Sequence, residues 1–329
     1  MPARARQPLG FALRDAYPWR DLSALTRWGE EAGFDALFLP EVGARDTLAA
    51  LAALAGETTR LRLGTGVVPL PSRSPALLAA AAATVQERSD GRLLLGLGTG
   101  PSGPGALDRL RATVVALREA FAGGTGSVDG SPVRSPLPLP TPPQVWIAAL
   151  GPRAATLAGE LADGVLLNWC TPERVAVALT QVADGARAAG RDPADVTVAV
   201  YVRAALAPGS LEGGRAMAAD YGSYPAYARQ FVTMGIDPAD PDAVVAGVML
   251  TDRGSATARL DAYRSAGAHL PVVYPVLPPG GPSADAARST LEAVAPRLTG
   301  VRWRRPMPAL PSLGPRPRPR PPRPRPPRL

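Results

Sequence analysis

The chain contains no lysine, one cysteine (Cys170) and one histidine (His269) among its 329 residues. Without lysine there is no amine for Schiff-base chemistry and no phosphate-loop lysine. A single cysteine excludes an internal disulfide and a thiolate-cluster metal site, and no metal site is expected. Long apolar runs are also missing. The longest, from Ala76 to Val85, is about half of the ~20 residues that a bilayer span takes, so no membrane association is expected. The opening MPARARQPLG has no apolar core of a secretory signal, and with the cysteine count this points to a cytoplasmic protein. Acids are absent from the last stretch. Residues 301–329 hold nine arginines and no Asp or Glu, which leaves 27 basic against 28 acidic residues in 1–300. The formal charge of +8 therefore belongs to the tail, and it gives no ground for a nucleic-acid-binding fold.

What is present is a steady alternation of short apolar runs and helical periods. LGFALR (9–14), DALFLPE (35–41), LRLGTGVV (61–68), RLLLGLGTG (92–100), QVWIAAL (144–150), GVLLNWC (164–170), VTVAVYVRAAL (196–206) and LPVVYPVL (270–277) read as eight strands. Helices are expected at 19–32, 47–58, 75–89, 105–122, 152–162, 172–189, 254–266 and 283–298. The clearest has Leu107, Leu110, Val114, Leu117 and Phe121 at steps of three and four. Residues 207–250 interrupt the rhythm and read as a helical insertion after strand seven, with Tyr221, Tyr224 and Tyr227 along it. Most strands are apolar throughout, which is the mark of a parallel sheet buried on both faces. The count fits an α/β fold of the (β/α)8 TIM-barrel type over residues 1–300 better than a doubly wound sheet. Residues 301–329, rich in proline and arginine, read as a disordered or polyproline-like tail.

In such a barrel, chemistry sits at the C-terminal ends of the strands. Those ends deliver Arg14, then Glu41, then Gly66 and Val67 with Arg73 beyond them. The later strands deliver Gly98, Thr99 and Gly100; Leu150, Gly151, Pro152 and Arg153; Asn168, Trp169 and Cys170; Arg203; and Tyr274. Glycines close strands three, four and five, where backbone can approach a ligand. Gly151-Pro152-Arg153 opens a helix, whose N-terminus suits a phosphate; the other reading of both features is an ordinary turn and an ordinary helix start. Arg203 could hold an acidic substrate or the end of a cofactor, or stand as a solvated rim arginine. His269 precedes strand eight, at the rim opposite the expected site, and reads as structural.

Three blocks carry a family resemblance: GFDALFLPE, then LRLGTGVVPLPSRSPALLAAAAATVQERSDGRLLLGLGTG, then AALGPRAATLAGELADGVLLNW. Together they resemble the luciferase-like superfamily, and most of all its coenzyme F420-dependent branch, over roughly residues 8–298. The resemblance implies a barrel with an insertion and a cofactor lying across the strand ends. It implies a non-proline cis peptide at Gly66-Val67 behind the middle of the cofactor ring. It also implies cofactor contacts from Gly98, Thr99, Gly100, Leu150, Gly151, Pro152, Arg153 and Asn168. Two departures stand out. Val42 follows the strand-two acid where many members have histidine, and Pro101 stands where the sugar-phosphate dehydrogenases of the branch have glutamate.

The activity implied is hydride transfer between the deazaflavin and a small organic substrate. Glu41 is the catalytic candidate, either as proton donor or as an orienting group; the alternative is a rim acid paired with Arg14, Arg45 or Arg73. Tyr201 and Tyr274 are weaker proton-donor candidates. Other readings are an FMN-dependent monooxygenase of the same superfamily and a barrel that binds a flavin or deazaflavin without turnover. The family implies a homodimer, with a small molecule as the only other partner.

Overall fold

The computed structural model describes residues 7–100, 103–137 and 139–296; the proline- and arginine-rich tail expected to be disordered lies outside them. In chain order the elements are β1 (Gly10–Ala12), α1 (Trp19–Glu31), β2 (Ala36–Leu39), α2 (Thr47–Ala55), β3 (Arg62–Thr65), β4 (Val68–Pro69), α3 (Pro75–Arg88), β5 (Leu93–Gly98) and α4 (Ala106–Phe121). A hairpin of β6 (Gly126–Val128) and β7 (Ser131–Val133) follows. Then come β8 (Gln144–Ala149), α5 (Pro152–Leu161), β9 (Gly164–Leu167), α6 (Pro172–Ala188) and β10 (Thr197–Ala204). The insertion carries α7 (Ser210–Ser223), α8 (Pro225–Thr233), α9 (Pro241–Val248) and β11 (Met249–Leu250). The chain returns to the barrel through α10 (Ala256–Ser265), β12 (Leu270–Pro275) and α11 (Ala284–Glu292).

Eight strands form the wall in the order β10, β12, β1, β2, β3, β5, β8, β9, and β9 pairs back onto β10. Every one of these pairings is parallel. The fold is therefore a closed (β/α)8 barrel, as the apolar strand runs predict. Its interior is a packed core. Phe38, Leu94, Trp146, Leu166 and Tyr201 fill it as one cluster, separate from the larger core between strands and helices. Large inward residues face small ones, because a closed wall of this size leaves room for little more than its own side chains. A Cβ on Gly164, for example, would lie 2.4 Å from the Trp146 ring.

Helix starts follow local chemistry. Asp46, Ser74 and Thr171 each cap a helix by accepting a first-turn amide, and Pro75 and Pro172 occupy the following position. The sequence reading differs from the structure in three places. The third strand is interrupted after Thr65 and resumes as β4, which pairs with β5 instead of continuing the β2–β3 ladder. The β6–β7 hairpin was not anticipated; its strands have three residues each, too few to show an alternating pattern. The last helix is shorter than 283–298 and ends at Glu292. No helix of the described residues is long and apolar enough to cross a membrane.

Candidate active site

Three groups of residues meet at the C-terminal mouth of the barrel. The first is the break in the third strand. The Gly66-Val67 peptide is cis, where the resemblance places it. The Gly66 carbonyl accepts the Tyr201 hydroxyl at 3.0 Å, and a Cβ on Gly66 would collide with that hydroxyl at 1.7 Å. Only glycine fits this close approach. Val67 in turn packs where a Cβ of Gly98 would sit, 2.8 Å from its Cγ2. Gly100 adopts φ +70° against Pro71, and half-buried Thr99 donates its hydroxyl to the Gly100 carbonyl at 3.1 Å. The bulge and the end of β5 thus form one continuous, side-chain-poor floor.

The second group is Glu41 with Arg73. Of the three arginines that could pair with Glu41, the structure selects Arg73. Arg73 Nη2 donates to Glu41 Oε2 at 2.7 Å and its Nε to Oε1 at 3.2 Å. Ser72 Oγ and the Thr47 amide donate to the same carboxylate. Arg73 Nη2 also reaches Asp46 Oδ1 at 2.8 Å. Both Glu41 and Arg73 side chains are 10% exposed, so this is a desolvated bidentate pair rather than a loose surface contact. The Glu41 hydrogen bond raises the Arg73 pKa further. Burial pushes the Asp46 carboxyl up, but the Arg73 and Ala49 hydrogen bonds outweigh it and hold it below its ordinary value. An open cleft of about 470 Å³ lies here, lined among others by Glu41, Val42, Arg45, Asp46, Ser72 and Arg73. Beside it Asp15, 2% exposed, fastens the loop by accepting the Val42 and Ala44 amides on Oδ2.

The third group surrounds Arg203, at the inward-facing end of β10. Its Nη1 donates to Asn168 Oδ1 at 2.6 Å. Its guanidinium carbon lies 4.0 Å from the centre of the Trp169 ring, 5.1 Å from Tyr274 and 5.3 Å from Tyr221, a stack of cation–π contacts. Trp169 has φ +53°, a left-handed conformation that an aromatic residue adopts at a cost of about 1–3 kcal/mol and only where its surroundings enforce it. Gln230, from the insertion, does so: its Nε2 donates to the carbonyls of Asn168 and Trp169, each at 2.6 Å. Asn168 Nδ2 donates to Tyr227 at 3.3 Å. Sequence alone did not single out Gln230. The available signal was its place three residues after Tyr227 on one helix.

The remaining sequence candidates fall as follows. Leu150, Gly151, Pro152 and Arg153 form the turn from β8 into α5. Gly151 is the N-cap and supplies no side-chain acceptor to the first-turn amides, so those donors suit an incoming anion. Arg174 Nη2 holds the Leu150 carbonyl at 3.0 Å. Tyr201 and Tyr274 are in the barrel interior, and burial pushes Tyr274 up to about 12 and Tyr201 well above its ordinary value. Cys170 is buried with its thiol pushed up to about 12, so it is no nucleophile. His269 sits at the opposite end of the barrel, where its Nδ1 accepts the Val198 amide at 3.0 Å.

A family model described as luciferase-like monooxygenase matches residues 9–270. The chain belongs to the luciferase-like monooxygenase family. Among its relatives, the 5,10-methylenetetrahydromethanopterin reductase of Methanolobus tindarius is 33% identical over 212 residues, covering 58% of this chain and 63% of that protein. The F420-dependent glucose-6-phosphate dehydrogenase of Beutenbergia cavernae is 29% identical over 237 residues, covering 61% and 68%. The chain spans 56% to 63% of the length of three of the curated relatives it matches. In fold it resembles an F420-dependent secondary alcohol dehydrogenase solved with an F420-acetone adduct. The TM-score is 0.71 at 19% identity, over 88% of this chain and 98% of the other.

Proposed function

We propose that this luciferase-like chain is a coenzyme F420-dependent oxidoreductase that moves hydride between the deazaflavin and a small organic substrate. The observation that carries the reading is the match, along more than half of the chain, to relatives named as F420-dependent. The form of the mouth supports it. A planar ring needs a flat, side-chain-poor floor, and Gly66, Val67, Gly98, Thr99 and Gly100 supply one. A phosphate arm needs donors, and the uncapped first turn of α5, with Leu150, Gly151 and Arg153, supplies them; Pro152 presets the turn without adding a donor. Asn168, held between Arg203 and Tyr227, is placed to position a bound ligand.

When bound, a deazaflavin supplies the hydride chemistry itself. The chain's part is to bind, orient and exclude water. Glu41 fits a positioning role best: its carboxylate clasps Arg73, Ser72 and the start of α2, and giving up a proton would require breaking that clasp. A test is oxygen uptake alongside oxidation of the reduced cofactor. The reading predicts slow oxygen consumption with reduced F420 and with reduced FMN. Rapid uptake with reduced FMN would instead make the chain a monooxygenase.

A further inference from the structure

Among the described residues, Arg203 is a buried cation with no acid to balance it. It is 3% exposed, and among the described residues no Asp or Glu forms an ion pair with it. Its one side-chain acceptor is the neutral Asn168 Oδ1. Its Nε is buried without a hydrogen-bond partner among the described residues, and so is the indole N–H of Trp169, the ring against which it stacks. Two buried donors of one cluster thus lack acceptors, and one of them carries charge. Each such donor is costly, and more so when charged. A buried charge without a counter-ion is the most expensive arrangement of all. Such arrangements persist where a bound water, ion or ligand supplies the missing half.

The position agrees. Arg203 is the inward-facing residue at the C-terminal end of β10, directly above Tyr201 in the strand, and a barrel of this kind binds its ligands at that end. Of the residues that ring it, Trp169 is buried while Asn168, Tyr221 and Tyr274 are half-buried, so the cluster is closed on the Trp169 side and reaches toward the mouth on the other. The ring is aromatic on three sides. A flat, unsaturated group can lie among these faces while its charged end meets the guanidinium.

We infer that Arg203 anchors a carboxylate of the substrate, and that the substrate class is a small, planar organic acid. This rests on the oxidoreductase reading above, and it adds which end of the substrate is held. The same anionic chemistry could come from the cofactor, so the test separates the two sources.

Benzoate and its neutral isostere benzamide are titrated calorimetrically into the full-length protein, with and without saturating oxidised F420. Expected is benzoate binding with a Kd on the order of 1 mM or tighter, the same with F420 present. Benzamide should bind about 10- to 100-fold more weakly, the range a charge-assisted hydrogen bond provides. Arg203→Gln should lose benzoate by a similar factor and keep its F420 affinity, with Arg203→Lys in between. In the wild type, benzoate should shift the indole N–H resonance of Trp169 and benzamide should not, a readout that does not depend on a buried substitution folding. Equal binding of the two probes, no benzoate binding, or an unmoved Trp169 signal overturns the inference. Displacement of benzoate by F420 overturns it too, since it gives the arginine to the cofactor. Failure of F420 to bind at all defeats the oxidoreductase reading but leaves the benzoate and benzamide comparison to decide the anion site.

Discussion

At the scale of single residues, the mouth is defined by how each charge is matched. Glu41 and Arg73 match each other, and Glu41→Gln should lower stability by about 1–3 kcal/mol in urea denaturation, because the desolvated Arg73 loses its bidentate carboxylate and keeps only Asp46 to balance it. The pH profile of single-turnover hydride transfer should not change; a shifted profile would return Glu41 to the role of proton donor. His269 makes the opposite kind of prediction. Burial lowers its pKa, and its Nδ1 is already used as an acceptor from Val198. The folded protein therefore binds fewer protons there than the unfolded chain, whose imidazole titrates near about 6.5. Above that pH His269 does not affect stability; as pH falls through 6.5 toward the lowered folded value, stability is lost. His269→Asn, which keeps an acceptor, should flatten the pH dependence of the melting temperature between about pH 7 and 5. The sequence made the remote placement of His269 legible, since it precedes an eighth strand. Which of three arginines takes Glu41 was not legible, because Arg73 is brought back only by the turn after the cis bulge.

At the scale of elements, the insertion does more than decorate the barrel. α7 and α8 bring Tyr221, Tyr227 and Gln230 over the end of β9, and Trp169, Phe231, Val244 and Met249 form a small core of their own. Gln230 is the link between that core and the strained residue of the barrel. Gln230→Leu should cost about 1–3 kcal/mol by stranding the buried Trp169 carbonyl and leaving Asn168 O to the Cys170 thiol alone. In hydrogen exchange the loss should be local, with faster exchange at residues 168–170 and unchanged protection in β5. Uniform acceleration would mean that Gln230 is an ordinary core residue. The sequence showed the insertion as a break in rhythm with three spaced tyrosines. It did not show their target, because contacts between residues some sixty positions apart, such as Gln230 with Asn168, leave no local pattern. The interruption of the third strand was likewise invisible to periodicity: LRLGTGVV reads as one continuous strand, and only the family resemblance marked Gly66-Val67.

At the scale of the molecule, the barrel itself was readable because burial on both faces makes parallel strands apolar from end to end. Eight such runs separated by helical periods leave few alternatives. The chemistry was less readable, since function on this fold lives in strand ends and loops that vary independently of the wall. The central claim is that this mouth is built for a deazaflavin, and one measurement bears on it most directly. The full-length protein is titrated in parallel with oxidised coenzyme F420 and with FMN, followed by calorimetry. Saturable binding of F420, with FMN weaker by at least about tenfold, or roughly 1.4 kcal/mol, is the predicted result. Preference for FMN, or binding of neither, would contradict it.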